Sequence, residues 1–323
     1  MAREPREKAL LPADLSRARA ELAAARGRRR LDLIFDSRSP QALVRALPAD
    51  ELYFTIRDVG LADAVELVQL ASADQFKVFL DLDAWRGYAF EPSRAMPWIR
   101  AARAGAAMEP KAAARWAAKL SALDPEVLFL LLRTSLRIHD LEQDPDPEIT
   151  SDRFMRTPEG KFVVEFAVEG TEYVAIRGLL DDLYAEDPFK ATRLLSAIRW
   201  EMESELEETA LRWRSGRLAD LGYPSLEEAL SWFARPPAAP AEAPPGMPGR
   251  PAGFYLAQFR RGSPLDRAAA ALEVEDRDAF ELQLVGAANA VLVADAVDPG
   301  DLEAVRRAVE AGRAYVELGL EKL

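Results

Sequence analysis

Four apolar positions recur at one offset. In "SPQALVRALPADELYFTI" they are Leu43, Leu47, Leu52 and Ile56; in "LADAVELVQLASADQFKVFL" they are Leu67, Ala71, Phe76 and Leu80, each 24 residues later. Within each copy the spacing places the side chains on one face of a helix, a turn and a second helix. Asp50 and Asp74 recur with them, where a carboxylate answers the free N–H groups that open a helix. "WAAKLSALDPEVLFLLL" repeats the pattern more loosely, with Pro125 suited to a first helical turn because its missing N–H would have had no partner there. A single helix–turn–helix unit cannot bury both of its apolar stripes, whereas stacked units can. The expected fold is mainly α: an α-solenoid-like helical repeat array.

One segment breaks the helical period. After the acidic stretch "HDLEQDPDPEITSD", the run "KFVVEFAVEGTEYVAIR" alternates apolar and polar residues around Glu169-Gly170-Thr171. That alternation predicts a hairpin of 162–168 and 172–177, preceded by a turn at "TPEGK". A small antiparallel β-hairpin or meander insertion at about 152–178 is therefore expected, leaning on the helices because it is too small to fold alone.

Composition sets the remaining boundaries. Residues 1–30 carry nine Arg or Lys against four acids, although the chain as a whole has a net charge of −12. They read as a basic helical segment ahead of a helical-repeat domain at 31–235. The prolines between Pro236 and Pro251 exclude helix and sheet interior, so 236–253 reads as an extended linker. Residues 254–323 read as a helical segment broken at Asp298-Pro299-Gly300-Asp301, which ends at Leu323 in mid-pattern and is expected to be truncated relative to longer proteins.

Several chemistries are excluded by residue type. The chain has no cysteine and one histidine, which removes disulfides, thiolate nucleophiles and multi-His metal sites. Phosphate-cradling glycine loops and the GxSxG elbow are absent. An acidic body repels nucleic acid and anionic lipid, and no apolar run reaches the length of a membrane span, so neither partner is expected. The N-terminal residues lack a secretory h-region, which makes the cytoplasm the expected compartment. His139, beside Asp140, reads as a helix-end residue.

Three groups of side chains remain as candidates. "DAWRGYAFEPSRAMPW" brackets a Pro/Gly-broken stretch with Trp85, Arg86, Tyr88, Arg94 and Trp98, residue types that dominate protein–protein hot spots and that equally plug helical cores. In "SELEETALRWRSGRLADLGYPSLEEAL", Glu208 and Arg212 are spaced for a pair along a helix, and Arg214 and Arg217 are expected to grip Glu227 or Glu228. Ser225 and Glu228 have capping-box spacing, and Leu206, Ala210, Trp213 and Arg217 fall on one face. The acidic residues Asp140, Glu142, Asp144 and Asp146, with Glu148 and Asp152, supply oxygen ligands of the kind Mg²⁺ or Ca²⁺ accepts, without an EF-hand pattern.

The block from "RWEMESELEETALRWRSGRLADLGYPSLEEAL" back to "LIFDSRSPQALVRALPADELYFTIRDVGLADAV" resembles a bacterial family known only as a domain of unknown function, over most of 31–233. No activity or site residues follow from that likeness. "LPADELYFTI" and "LADAVELVQLASADQF", within 39–85, are also similar to the N-terminal superhelical domain of MgtE-type magnesium transporters, which implies a fold and a cation-sensing regulatory role. The leading functional expectation is a non-enzymatic cytoplasmic scaffold or adaptor that binds another protein. The alternatives are a divalent-cation-responsive regulator using the acidic loop, and an enzyme whose Glu203 or Glu207 would face Arg212 or Arg214 across a cleft. No other cofactor is expected.

Overall fold

Among the described residues, proline opens five of the helices. The computed structural model describes residues 25–234 and 274–320 with a few isolated positions beside them, and the predicted linker 236–253 and most of the basic segment 1–30 lie outside the described residues. Among the described residues the chain is mainly helical with two small antiparallel sheets. Helices α2 (Pro40–Ala46), α6 (Pro92–Arg103), α7 (Pro110–Ala122), α8 (Pro125–Arg133) and α10 (Pro188–Trp200) all begin at a proline, whose fixed φ and missing N–H cost nothing there. Helix α5 (Ala73–Asp83) is opened by Ser72, whose hydroxyl accepts from Gln75 N while the Gln75 side chain accepts from Ser72 N. The same reciprocal box forms between Ser225 and Glu228 at α12 (Leu226–Ser231), as their spacing predicts.

The chain divides into two compact units. The first draws on 1–71, 81–83 and 215–323: it holds α1 (Gly27–Phe35), α2, α3 (Ala49–Val59), α4 (Val65–Leu70), the last turn of α5, the end of α11 (Glu203–Asp220), α12, α13 (Val274–Ala294) and α14 (Leu302–Leu320). Asp50 sits in the first turn of α3 and Asp74 in that of α5. Every member of the two apolar sets 24 residues apart is buried. The helices α13 and α14 are separated at the Asp298–Asp301 break and pack on each other, with Gly312 so close to Val291 that a Cβ would stand 3.0 Å from its Cγ2.

This unit is unusually rich in buried charge. Arg30 pairs with Glu51, and the Tyr53 hydroxyl donates to Asp83 Oδ1 at 3.2 Å while Arg57 lies 3.5 Å from Asp83 Oδ2. Burial, then the Asp83 carboxylate, holds the Tyr53 phenol well above its usual range. Arg217 grips Asp81 through two bonds of 2.6 and 2.9 Å. Arg57 also donates to the Gly300 carbonyl at 2.7 Å, and Arg306 to Asp58 at 2.9 Å, which ties the α13–α14 pair to α3.

The second unit, 72–80 and 84–214, holds the first part of α5, a hairpin of β1 (Trp85–Arg86) and β2 (Ala89–Phe90), helices α6 to α8, a three-stranded sheet, α9 (Gly170–Glu186), α10 and most of α11. The sheet contains β3 (Leu136–Asp140), β4 (Phe154–Arg156) and β5 (Phe162–Phe166) in the order β3-β5-β4, antiparallel throughout, with β5 wholly buried. The turn at "TPEGK" joins β4 to β5 as predicted. Two expectations fail here. Residues 172–177, predicted as the second strand of a hairpin, are helical: Ile176, Leu179, Leu180 and Leu183 continue a 3.6-residue stripe that a six-residue window cannot separate from alternation, and that stripe is buried. His139, predicted at a helix end, lies in β3, because α8 stops at Arg133 and Leu136, Ile138 and Asp140 alternate inward.

Candidate interaction site

"WRGYAF" makes the smallest hairpin available to a chain. Trp85 pairs with Phe90 and Arg86 with Ala89, which leaves Gly87 and Tyr88 as a two-residue turn. Gly87 has φ +59°, the conformation the first central residue of such a turn demands and one that other residues adopt only with strain. Two strands of this length have no independent stability; other contacts hold them. The Trp85 and Phe90 rings meet edge to face at 5.3 Å, the Arg214 guanidinium lies 5.4 Å from the centre of the Trp85 ring, and the Phe90 N–H donates to Glu207 Oε1 at 3.1 Å. Below the strands the Glu91 N–H donates to the Ala84 carbonyl at 2.7 Å. Residues Glu207 and Arg214 of α11 thus clasp the hairpin from one side.

The clasp sorts the predicted residues. Trp85 is 3 % exposed and Trp98 0 %, the latter tilted against Phe79 with ring centres 5.2 Å apart, so these two belong to the core and do not form an outward-facing surface. Tyr88 at the tip is 67 % exposed. Arg86 and Arg94 flank Glu91 at 3.9 and 4.0 Å. Arg214 is part of the clasp, and Arg217 turns to Asp81. Arg212 pairs loosely with Glu208 along its own helix and is exposed. Of the residues that fall on one face of this helix, Ala210 is buried and Trp213 is exposed. Glu207 serves the hairpin backbone, and the side chain of Glu203 lies outside the described residues.

The acidic loop uses its carboxylates locally. Asp140 Oδ1 accepts from Glu142 N at 3.0 Å and Asp144 Oδ1 from Asp146 N at 3.4 Å, each fixing a turn. Among the described residues no three His, Asp or Glu side chains are gathered so that they could hold a metal ion.

A family model described as a family of unknown function (DUF6178) matches residues 6–323. The chain belongs to that family. No curated protein and no solved structure matches it. Among the described residues no helix is long and apolar enough to cross a membrane.

Sequence reasoning missed two polar centres in the second unit. Glu165, on the buried strand β5, accepts from His139 Nε2 at 2.6 Å, from Thr150 N at 2.7 Å, from Thr150 Oγ1 at 3.0 Å and from Ser151 N at 2.9 Å. Its burial pushes the carboxyl up, but the bonds from His139 and the two backbone amides outweigh it and leave the pKa at about 2. An ionised carboxylate only accepts, so His139 carries its proton on Nε2. A lone acid inside the apolar run "FVVEF" was the available signal. The second centre, Asp182 with Arg103 and Trp116, joins helices about 70 residues apart and left no local trace.

Proposed function

We propose that the chain is a non-enzymatic helical-repeat scaffold that binds another protein through the β1–β2 hairpin. One observation carries this reading: an exposed tyrosine flanked by an arginine stands on a two-residue turn whose base is fixed by an aromatic pair, a stacked guanidinium and a side-chain-to-backbone hydrogen bond. Tyrosine and arginine are hot-spot residues, and a preordered presentation lowers the entropy lost on binding. The 24-residue offset, which α3 and α5 share in both start and length, supports a repeat origin for the frame. The likeness of 39–85 to the superhelical domain of magnesium transporters is in keeping with such a frame. The partner we infer offers an apolar pocket for Tyr88, within the cytoplasm.

The test places a photo-crosslinking amino acid at position 88 in the native host, identifies the captured protein, and measures its affinity as a purified component. Tyr88→Ala is expected to weaken that affinity about 30-fold, the loss of a hot-spot side chain, with an unchanged melting temperature. A captured partner that binds Tyr88→Ala as tightly as the parent, or the absence of any protein crosslink from position 88, overturns the hairpin as the docking element.

A further inference from the structure

Helices α12 and α14 share a group of large apolar side chains that face outward. Leu226 and Leu230 are one turn apart on α12, and Phe233 follows in the turn that extends it, its N–H donating to the Leu230 carbonyl at 3.1 Å. The Phe233 ring meets that of Tyr315 edge to face at 5.8 Å, and Leu318 lies one turn beyond Tyr315 on α14. Trp232 leans on α13, where a Cβ at Gly286 would stand 4.0 Å from its Cη2. All six are between 43 % and 59 % exposed. Single exposed apolar residues are ordinary, but a contiguous group marks a surface that something covers.

The path of the chain indicates what covers it. The described chain leaves this face at Ala234, directly after Phe233, and the next long helix is α13. Helix α13 borders the face through Trp232 and through Asn289, whose side chain donates to the Gly222 carbonyl at 3.1 Å just ahead of α12. The intervening sequence therefore begins at the exposed group and ends at a helix beside it. Between Ala234 and the buried Leu265, its large apolar residues are Met247 and those of "FYLAQF": Phe254, Tyr255, Leu256 and Phe259. Phe254 stands about 20 residues past Ala234, and a chain of that length spans up to ~65 Å, so reach sets no limit. A tethered segment also competes at roughly millimolar effective concentration, which favours it over a foreign ligand of similar intrinsic affinity. Charge agrees with this occupant: Arg260 and Arg261 follow the run, and Glu227 and Glu228 stand exposed beside Leu226.

We propose that segment 254–259 of this chain docks on the α12–α14 face, its aromatic side chains against Phe233 and Tyr315 and the two arginines toward Glu227 and Glu228. A second copy of the chain and a foreign protein are the other occupants, and the test separates them. The proposal does not depend on what the hairpin binds.

The test replaces Tyr255 in the full chain with the photo-crosslinking aromatic p-benzoylphenylalanine and maps the crosslinked peptides by mass spectrometry. Crosslinks are expected within one chain, to 226–233 or 315–320, with a yield constant over an about hundredfold range of protein concentration. Leu230→Ser with Leu318→Ser, two exposed positions whose change the fold tolerates, is expected to lower that yield at least about tenfold. A second readout leaves the face intact: Phe254→Ser with Phe259→Ser is expected to raise the fluorescence of bound ANS about twofold or more as the face is uncovered. Crosslinks confined to other parts of the chain overturn the proposal. Crosslinks between chains that rise with concentration overturn it in favour of a second copy, and the absence of any crosslink in the pure protein leaves the face to a foreign one. An undiminished yield in the face variant, or unchanged ANS fluorescence in the segment variant, overturns it as well.

Discussion

Glu165→Gln removes the charge from a carboxylate whose side chain is 4 % exposed and which four donor groups surround at 2.6 to 3.0 Å. The group titrates at about 2 in the folded protein against 4.5 ordinarily. At 1.36 kcal/mol per pKa unit, the surroundings favour the ionised form by about 3 kcal/mol. The pKa is depressed on folding, so this stability is fully present above pH 4.5, declines as pH falls below it, and is gone once pH drops through about 2. Little solvent reaches the group to screen the effect. The assay is urea unfolding of parent and variant at pH 7 and at pH 3. The difference between them is the quantity of interest, since it cancels the other carboxylates. It is expected to be about 3 kcal/mol at pH 7 and to fall to roughly half that at pH 3. A difference that does not change with pH, or one below about 1 kcal/mol at pH 7, would refute the argument that these donors stabilise the charge. A Gln at this position still accepts from Thr150 and Ser151, so an unfolded variant would refute it as well.

Three further outcomes follow from single residues. Ala296, with φ +48°, follows the last residues of α13 in a conformation that glycine adopts freely, and the Val297 N–H closes that end on the Leu292 carbonyl; Ala296→Gly should raise the unfolding free energy by about 1 kcal/mol in denaturant titration. Trp98→Ala should cost about 3–5 kcal/mol, because a fully buried indole packed against Phe79 leaves a cavity, while Tyr88→Ala should change stability by less than about 0.5 kcal/mol; calorimetry on the two variants separates core from tip. Ser225→Ala removes the hydroxyl that accepts from Glu228 N and should cost about 1 kcal/mol, with an unchanged circular-dichroism spectrum of the folded state.

Around the candidate hairpin, tryptophan, tyrosine and arginine beside "RGY" marked a special, Pro/Gly-broken segment, but the hairpin itself was not predicted, because two strands of two residues are too short to show an alternation. Which aromatic faced outward was not legible, since Trp85, Tyr88 and Trp98 are equally apolar on paper. Arg214 decided it for Trp85 by stacking on it from a helix more than 120 residues away, and Phe79 did so for Trp98.

What the sequence determined by itself is whatever is local: where helices start, through Pro125, Ser225 and the first-turn acids Asp50 and Asp74; where a β-turn forms, through "TPEGK"; and which stripe of each helix is apolar. These depend on contacts three or four residues apart, whose geometry is the same in any fold. Tertiary structure alone decided which partners meet. Arg217 took Asp81 and not Glu227, Glu165 found His139 across the sheet, Gly178 made room for Arg103, and 172–177 joined a helix whose buried face extends past the window in which it resembled a strand. A charge or a small residue carries no address in the chain; its partner is fixed only when the apolar faces have packed and brought distant segments within hydrogen-bonding reach.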